Sequence, residues 1–233
     1  MCLPPIRPEL EHILGLLEGD DPLPQDDSGI ELKCLINEIL EKILEAARWA
    51  PTGENYQPWR LIVIKNSETK KKIGNLAKLG SGSRMTAWYC LGEMQRRFEE
   101  IQDPVRRAEV LRFMYSGEVS EFAKQAPVVI AVIGTLMEGS VDVPYDLSAC
   151  IENMLLEAHS LGLGACWVHG PVASTRDAAK FKKILKIPTG MGEYKVIAYV
   201  ALGWPAEARK HPRPKKPLED LVYWEEFGRK ERS

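Results

Sequence analysis

The residues best placed to do chemistry lie between Ala46 and Arg60, in the stretch A-A-R-W-A-P-T-G-E-N-Y-Q-P-W-R. Pro51 stops a helix. Pro51, Thr52, Gly53 and Asn55 then make a short polar loop, and Pro58 and Trp59 open the apolar run Leu61 to Ile64. A loop of small and amide residues between a buried helix and a buried strand suits backbone contact with a flat polar ligand. Two further groups stand out. His169 and Gly170 follow a short apolar run, and a basic cluster runs from Arg209 to Lys216, including Arg213, Lys215 and Lys216. Read from residue types alone, two uses stand open for each: a site role, or a surface turn residue for His169 and a solvated basic tail for the cluster. No Ser-His-Asp or Cys-His arrangement accompanies these groups. The five cysteines, Cys2, Cys34, Cys90, Cys150 and Cys166, form no C-x-x-C pair and have no histidine at ligand spacing, so no zinc or iron–sulfur site is expected. Scattered cysteines of this kind act as small buried apolar residues in a reducing cytosol.

These groups need elements to hold them. Leu10, Ile13, Leu14 and Leu17 mark a short helix, and Asp20 to Gly29 reads as a loop. Leu32 to Ala47 forms one broad helical stripe, within which Asn37 suits a fresh N-cap. Strands are expected over 61–65, over Pro127 to Ile133, over Ala165 to Val168 and over Tyr194 to Gly203. The second of these is a continuous β-branched run, as a strand covered on both faces requires. A helix capped by Ser67 follows the first strand, and Gly80 to Ser83 reads as a flexible loop. Two charged helical stretches separate near Pro104. Asp146 to Gly164 gives a helix ended by Gly162 and Gly164, with His159 among apolar neighbours, in the core or an interface. Another helix is capped at Ser174 or Thr175. Strands alternate with helices, but few are long enough for a regular doubly wound sheet, so an α+β layer fold is expected.

At 233 residues the chain is long enough for one well-packed domain. Its formal charge of -2 gives no electrostatic footprint for nucleic acid or an anionic membrane. No run approaches the roughly 20 apolar residues that cross a bilayer. The N-terminus lacks a basic region followed by an apolar core, so no signal peptide is expected and the cytoplasm is the expected compartment.

Three segments carry a resemblance. The stretch from Ala46 to Arg60 resembles the flavin-contacting loop of the nitroreductase family, whose usual form is close to A-R-x-A-P-S-x-x-N-x-Q-P-W. Ser148 to Gly170, S-A-C-I-E-N-M-L-L-E-A-H-S-L-G-L-G-A-C-W-V-H-G, resembles the family's helix and the strand leading to the flavin edge. Val200 to Trp224 resembles its last strand and tail, where a basic pair precedes P-L-E-E. The resemblance implies an α+β nitroreductase-like fold, with a mixed, mainly antiparallel sheet flanked by helices. It implies a homodimer and FMN as cofactor, with NAD(P)H as co-substrate. The reaction would be ping-pong, passing reducing equivalents to a small nitroaromatic or quinone acceptor. No protein acid or base is required for this, because the flavin carries the chemistry. Pro51, Thr52, Gly53 and Asn55 would contact the partner subunit's flavin, with Gln57, Trp59 and Arg60 fixing the loop. The backbone of His169 and Gly170 would face flavin N5 and O4. Lys216, with Arg213 and Lys215 beside it, would hold the phosphate. Residues 1–30 would form a divergent N-terminal helix and acidic loop, and 31–233 the domain with a wrapping tail.

One departure sharpens the expectation. Family members carry R-x-S-x-R upstream of the first loop, and those arginines grip the phosphate. Here Leu17 to Asp27 reads L-E-G-D-D-P-L-P-Q-D-D. Losing two charge-assisted bonds costs ~3–6 kcal/mol, roughly two to four decades of affinity. FMN is therefore expected to be held more loosely, its phosphate carried mainly by Lys216 and its basic neighbours. The alternative is a non-catalytic or altered-ligand homologue that binds another nucleotide, a flavin derivative or a protein partner.

Overall fold

The four apolar runs form strands β1 (Trp59–Ile64), β2 (Val128–Thr135), β3 (Gly164–Val168) and β4 (Tyr194–Gly203). The structure is a computed structural model that describes residues 27–90, 98–120, 122–135, 143–172, 174–190, 194–204 and 215–230. The strands pair in the order β1-β2-β4-β3, antiparallel at every described pairing. The helices are α1 (Asp27–Arg48), α2 (Ser67–Cys90), α3 (Pro104–Ser116), α4 (Phe122–Gln125), α5 (Val143–Ser160), α6 (Thr175–Leu185) and α7 (Leu218–Leu221). Among the described residues, no helix is long and apolar enough to cross a membrane.

Helices cover both faces of the sheet, which is why β2 is apolar from Val128 to Ile133. On one face Leu40, Ile43 and Ala47 of α1 pack with Leu147, Cys150, Ile151 and Met154 of α5 over Ile130, Val132, Ala198 and Val200. On the other, Ile73, Leu76 and Ala77 of α2 and Phe181 of α6 pack over Val129, Ala131, Ile133 and Tyr199. Burial pushes the Cys150 thiol up to about 12, so it serves as a small apolar residue. Cys166, expected to do the same, is exposed on β3 instead. Its strand lies at the end of the order, with no further strand paired to it among the described residues. His159 is exposed in the single chain, so it is not in the core.

The alternation of faces along β4 contains one irregularity. Ala198 pairs with Val132 and Val196 with Ile133, so Ile197 has no partner on β2. This is a β-bulge, one surplus residue that resets which face its neighbours present. Ile197 and Ala198 both pack toward the α1–α5 layer, while Val196 faces the other.

Three local expectations need correction. Asn37 starts no new helix. α1 runs through it, and its amide oxygen accepts instead from Lys65 Nζ at 3.0 Å. The cap of α2 is Asn66, whose side chain accepts from the Thr69 N–H at 2.9 Å. Gly80 to Ser83 is no loop but part of α2. Its small residues let two other backbone segments approach, a tertiary reason that turn propensity cannot register. Other ends follow their signals. Asp103 caps α3 through the Val105 N–H and Ser174 caps α6 through the Asp177 N–H. Gly162, at φ +81°, closes α5 in the left-handed conformation that glycine adopts without strain. The expected N-terminal helix and nearly all of the acidic segment lie outside the described residues.

Tyr199 is fully buried, stacked on Phe181 with ring centroids 6.5 Å apart. Its hydroxyl finds no hydrogen-bond partner among the described residues. Burial, and secondarily the thiol of Cys166, raise its pKa. An unsatisfied buried hydroxyl costs ~1–3 kcal/mol. Tyr199→Phe is therefore expected to raise stability by ~1 kcal/mol, read as a higher urea midpoint at unchanged slope.

Candidate functional site

The loop after α1 is built on strain. Glu54, Asn55 and Gln57 have φ of 49°, 60° and 49°, three left-handed residues without a glycine among them. Each such residue costs on the order of 1–2 kcal/mol, least for asparagine, and such clusters concentrate at functional sites. Gly53 is not where the strain sits. A Cβ there would meet nothing within 4 Å, so the space beside its backbone is open. Pro51, Gly53 and Asn55 are exposed and Thr52 is half-buried.

Side chains hold this shape. Thr52 Oγ1 accepts from the Gln57 N–H at 3.3 Å, and Gln57 Nε2 donates to the Asn55 carbonyl at 3.2 Å. Arg60 Nη1 donates to the Trp59 carbonyl at 2.8 Å. Upstream, Asn153 of α5 donates to the Ala46 carbonyl at 3.0 Å, fixing where α1 ends. Sequence reasoning missed this bond, since nothing local marks a helix residue that will meet another helix's terminus.

A second fastening lies at Glu45. Its carboxylate accepts from Arg48 Nη2 and Nε at 2.5 and 2.8 Å and from Trp49 Nε1 at 2.7 Å. The bond from Arg48, then that from Trp49, holds its pKa at about 2. A carboxyl lowered from 4.5 keeps these contacts fully above about 4.5 and loses them as pH falls through about 2. Trp49, 71% exposed, reports the change. Its emission, taken as the difference from Trp49→Phe, is expected to hold steady down to about pH 4.5 and to shift toward pH 2. Glu45→Gln should abolish that transition. An open groove of about 850 Å³ runs along α1 here, lined by Glu38, Glu41, Glu45 and Glu157 against Lys42 and Arg48. Its negative balance is unsuited to a phosphate.

The turn after β3 is held from two sides. His169 is exposed, and its Nδ1–H donates to the carbonyl of Ile197, the bulge residue, at 2.9 Å. A carbonyl only accepts, so this bond fixes the tautomer and leaves Nε2 as the unprotonated nitrogen of the neutral ring. Gly170 is buried against α2. A Cβ on it would lie 2.7 Å from Ser81 Oγ and 2.8 Å from the Ala77 carbonyl oxygen. Both contacts were invisible in the sequence, because one partner is a bulge and the other was read as a loop.

Pairing shows how the pieces lie. Trp59 of β1 is opposite Gly134, Gly134 opposite Lys195, and Val168 opposite Tyr199. The loop before β1 and the turn after β3 therefore lie toward the same end of the sheet. Across the sheet they are three strand spacings apart, at least ~14 Å. Lys215 and Lys216 are exposed in extended chain before α7 and have no bonded partner among the described residues. Arg213 lies outside the described residues. Among those described, no group of histidine, cysteine and carboxylate side chains is placed to hold a metal.

Comparison with known proteins adds a family. The profile described as Nitroreductase family matches residues 35–204. The NADH dehydrogenase of Thermus thermophilus is 31% identical, over 80% of this chain and 84% of its own. The 5,6-dimethylbenzimidazole synthase of Rhodospirillum rubrum is 25% identical, over 76% and 75%. Among solved structures, an FMN-dependent nitroreductase from Clostridium difficile superimposes with a TM-score of 0.58 at 22% identity, covering 82% of this chain and 88% of its own.

Proposed function

From the premise that the chain belongs to the nitroreductase family, we propose that it is an FMN-dependent oxidoreductase. It passes reducing equivalents from NAD(P)H to a small organic acceptor of nitroaromatic or quinone type, by a ping-pong route. One observation supports this above others: within the matched residues, a strained exposed loop and a buried glycine turn lie toward one end of the sheet. When bound, FMN supplies the hydride chemistry. The residues present suit it. The open backbone at Gly53 and the exposed Asn55 amide offer contacts to a flat polar ring. The N–H groups of His169 and Gly170 are fixed dipoles for its edge. Lys215 and Lys216 are uncommitted cations suited to a phosphate, with Arg213 nearby in sequence.

The protein acts as a homodimer in this reading. Loop and turn of one chain stand too far apart to share one ring edge, so the loop serves the partner's flavin. Leu218, 71% exposed, and Phe227, 90% exposed, would gain cover in such an assembly.

The test is direct. Protein purified under low salt, or given FMN afterwards, is expected to show the visible absorption band of bound flavin, to bleach on adding NADH or NADPH, and to recover with a quinone. Light scattering is expected to give a dimer at micromolar concentration. A colourless protein that added FMN leaves colourless would favour the altered-ligand alternative.

A further inference from the structure

We infer that Gly80 is a positioning residue for the turn at His169–Gly170, acting on the flavin edge through backbone contact. The inference rests on the FMN reading above. Gly80 is buried in α2, and a Cβ there would lie 1.9 Å from the Gly170 carbonyl oxygen and 2.8 Å from its carbon. Real Cβ contacts do not fall below 3.0 Å. The contact is reciprocal, since a Cβ on Gly170 would meet the Ala77 carbonyl oxygen one helical turn earlier. Helix and turn thus touch backbone to backbone. On its other side the turn is tied by His169 to the Ile197 carbonyl. The direction of the turn's N–H groups is therefore set by where α2 lies.

An alanine at position 80 forces helix and turn apart by about an ångström, and no side-chain rotation relieves a clash with a backbone oxygen. Fixed dipoles stabilise charge only where it develops, and a displacement of about 1 Å in a preorganised site costs ~10²-fold. Gly82 supplies the control within the same helix. It too is buried, but its Cβ would lie 2.6 Å from the Tyr115 carbonyl oxygen, on α3 and not on the turn. Both substitutions overpack a backbone contact of α2, and one of them touches the turn.

The experiment compares wild type, Gly80→Ala and Gly82→Ala by melting temperature, by FMN affinity and by the reduction potential of bound FMN. Both variants are expected to melt lower. Gly80→Ala alone should change the ratio of affinities for reduced and oxidised FMN by tenfold or more, ~30 mV for a two-electron couple. If Gly80→Ala fails to fold, Gly170→Ala probes the same seam of helix and turn with smaller overlaps, 2.7 Å to the Ser81 hydroxyl and 2.8 Å to the Ala77 carbonyl oxygen against 1.9 Å at Gly80. Equal shifts in the two α2 variants overturn the inference and leave the FMN reading standing. So does an unshifted potential in a fully loaded variant of either turn glycine contact. A wild type that takes up no FMN overturns both.

Discussion

Replacing both tail lysines, Lys215→Ala together with Lys216→Ala, is expected to weaken FMN binding by roughly two decades while leaving riboflavin binding unchanged. The figure is the lower end for two charge-assisted bonds, ~1.5 kcal/mol each, converted at ~1.4 kcal/mol per decade. The lower end applies because both side chains are exposed. The discrimination follows from chemistry, because FMN carries a phosphate and riboflavin does not. Wild-type affinity should also fall steeply with salt, as exposed charges are screened beyond ~8–10 Å at moderate ionic strength. In the double variant that salt dependence should flatten. Flavin fluorescence titrations at two salt concentrations measure all of this. Equal losses for both flavins would show that the tail does not hold the phosphate. Neither lysine has a partner to lose among the described residues, so the melting temperature without flavin should not move.

The largest stability effect is expected at Leu147. This α5 residue is fully buried, and its Cδ1 reaches to 2.9 Å from where a Cβ on Gly134 would stand. Leu147→Ala should cost ~2–5 kcal/mol, the lost transfer free energy plus the cavity left behind. Against a typical total of ~5–15 kcal/mol that is a large fraction. Urea unfolding is expected to show a lower midpoint with the slope retained. A loss under ~1 kcal/mol would mean that α5 settles onto the bare face of Gly134 and fills the gap.

The strands were legible because an apolar run bounded by proline and glycine has few other uses. Val128–Thr135 was found nearly to the residue, and its burial follows from the absence of any polar alternation. The helical stripe of α1 was legible for the same reason, down to its stop at Pro51. What could not be read depends on contacts across the fold. Gly80 and Gly82 carry the composition of a loop, and their place in a helix follows only once Gly170 and Tyr115 are known to lie against them. Asn37 has the side chain of a cap but is occupied by Lys65 from another element. In the candidate site, the loop's residues were identified, with Gln57 and Arg60 as its fixings. Its special conformation was not legible: the backbone bends at Glu54, Asn55 and Gln57. Asparagine carries a weak signature of the left-handed region, and glutamate and glutamine carry none.

The bulge at Ile197 has an evolutionary consequence. Ile197 has no partner on β2, and His169, 28 positions earlier in the chain, donates to its carbonyl. The surplus residue in one strand and the side chain at the end of another thus satisfy each other. Loss of the histidine alone removes that carbonyl's donor, and loss of the surplus residue alone takes the acceptor from the histidine while Val196 keeps its place opposite Ile133. The two positions are therefore inherited as a pair: strand length in β4 and residue type at 169 change together in a lineage, or neither changes.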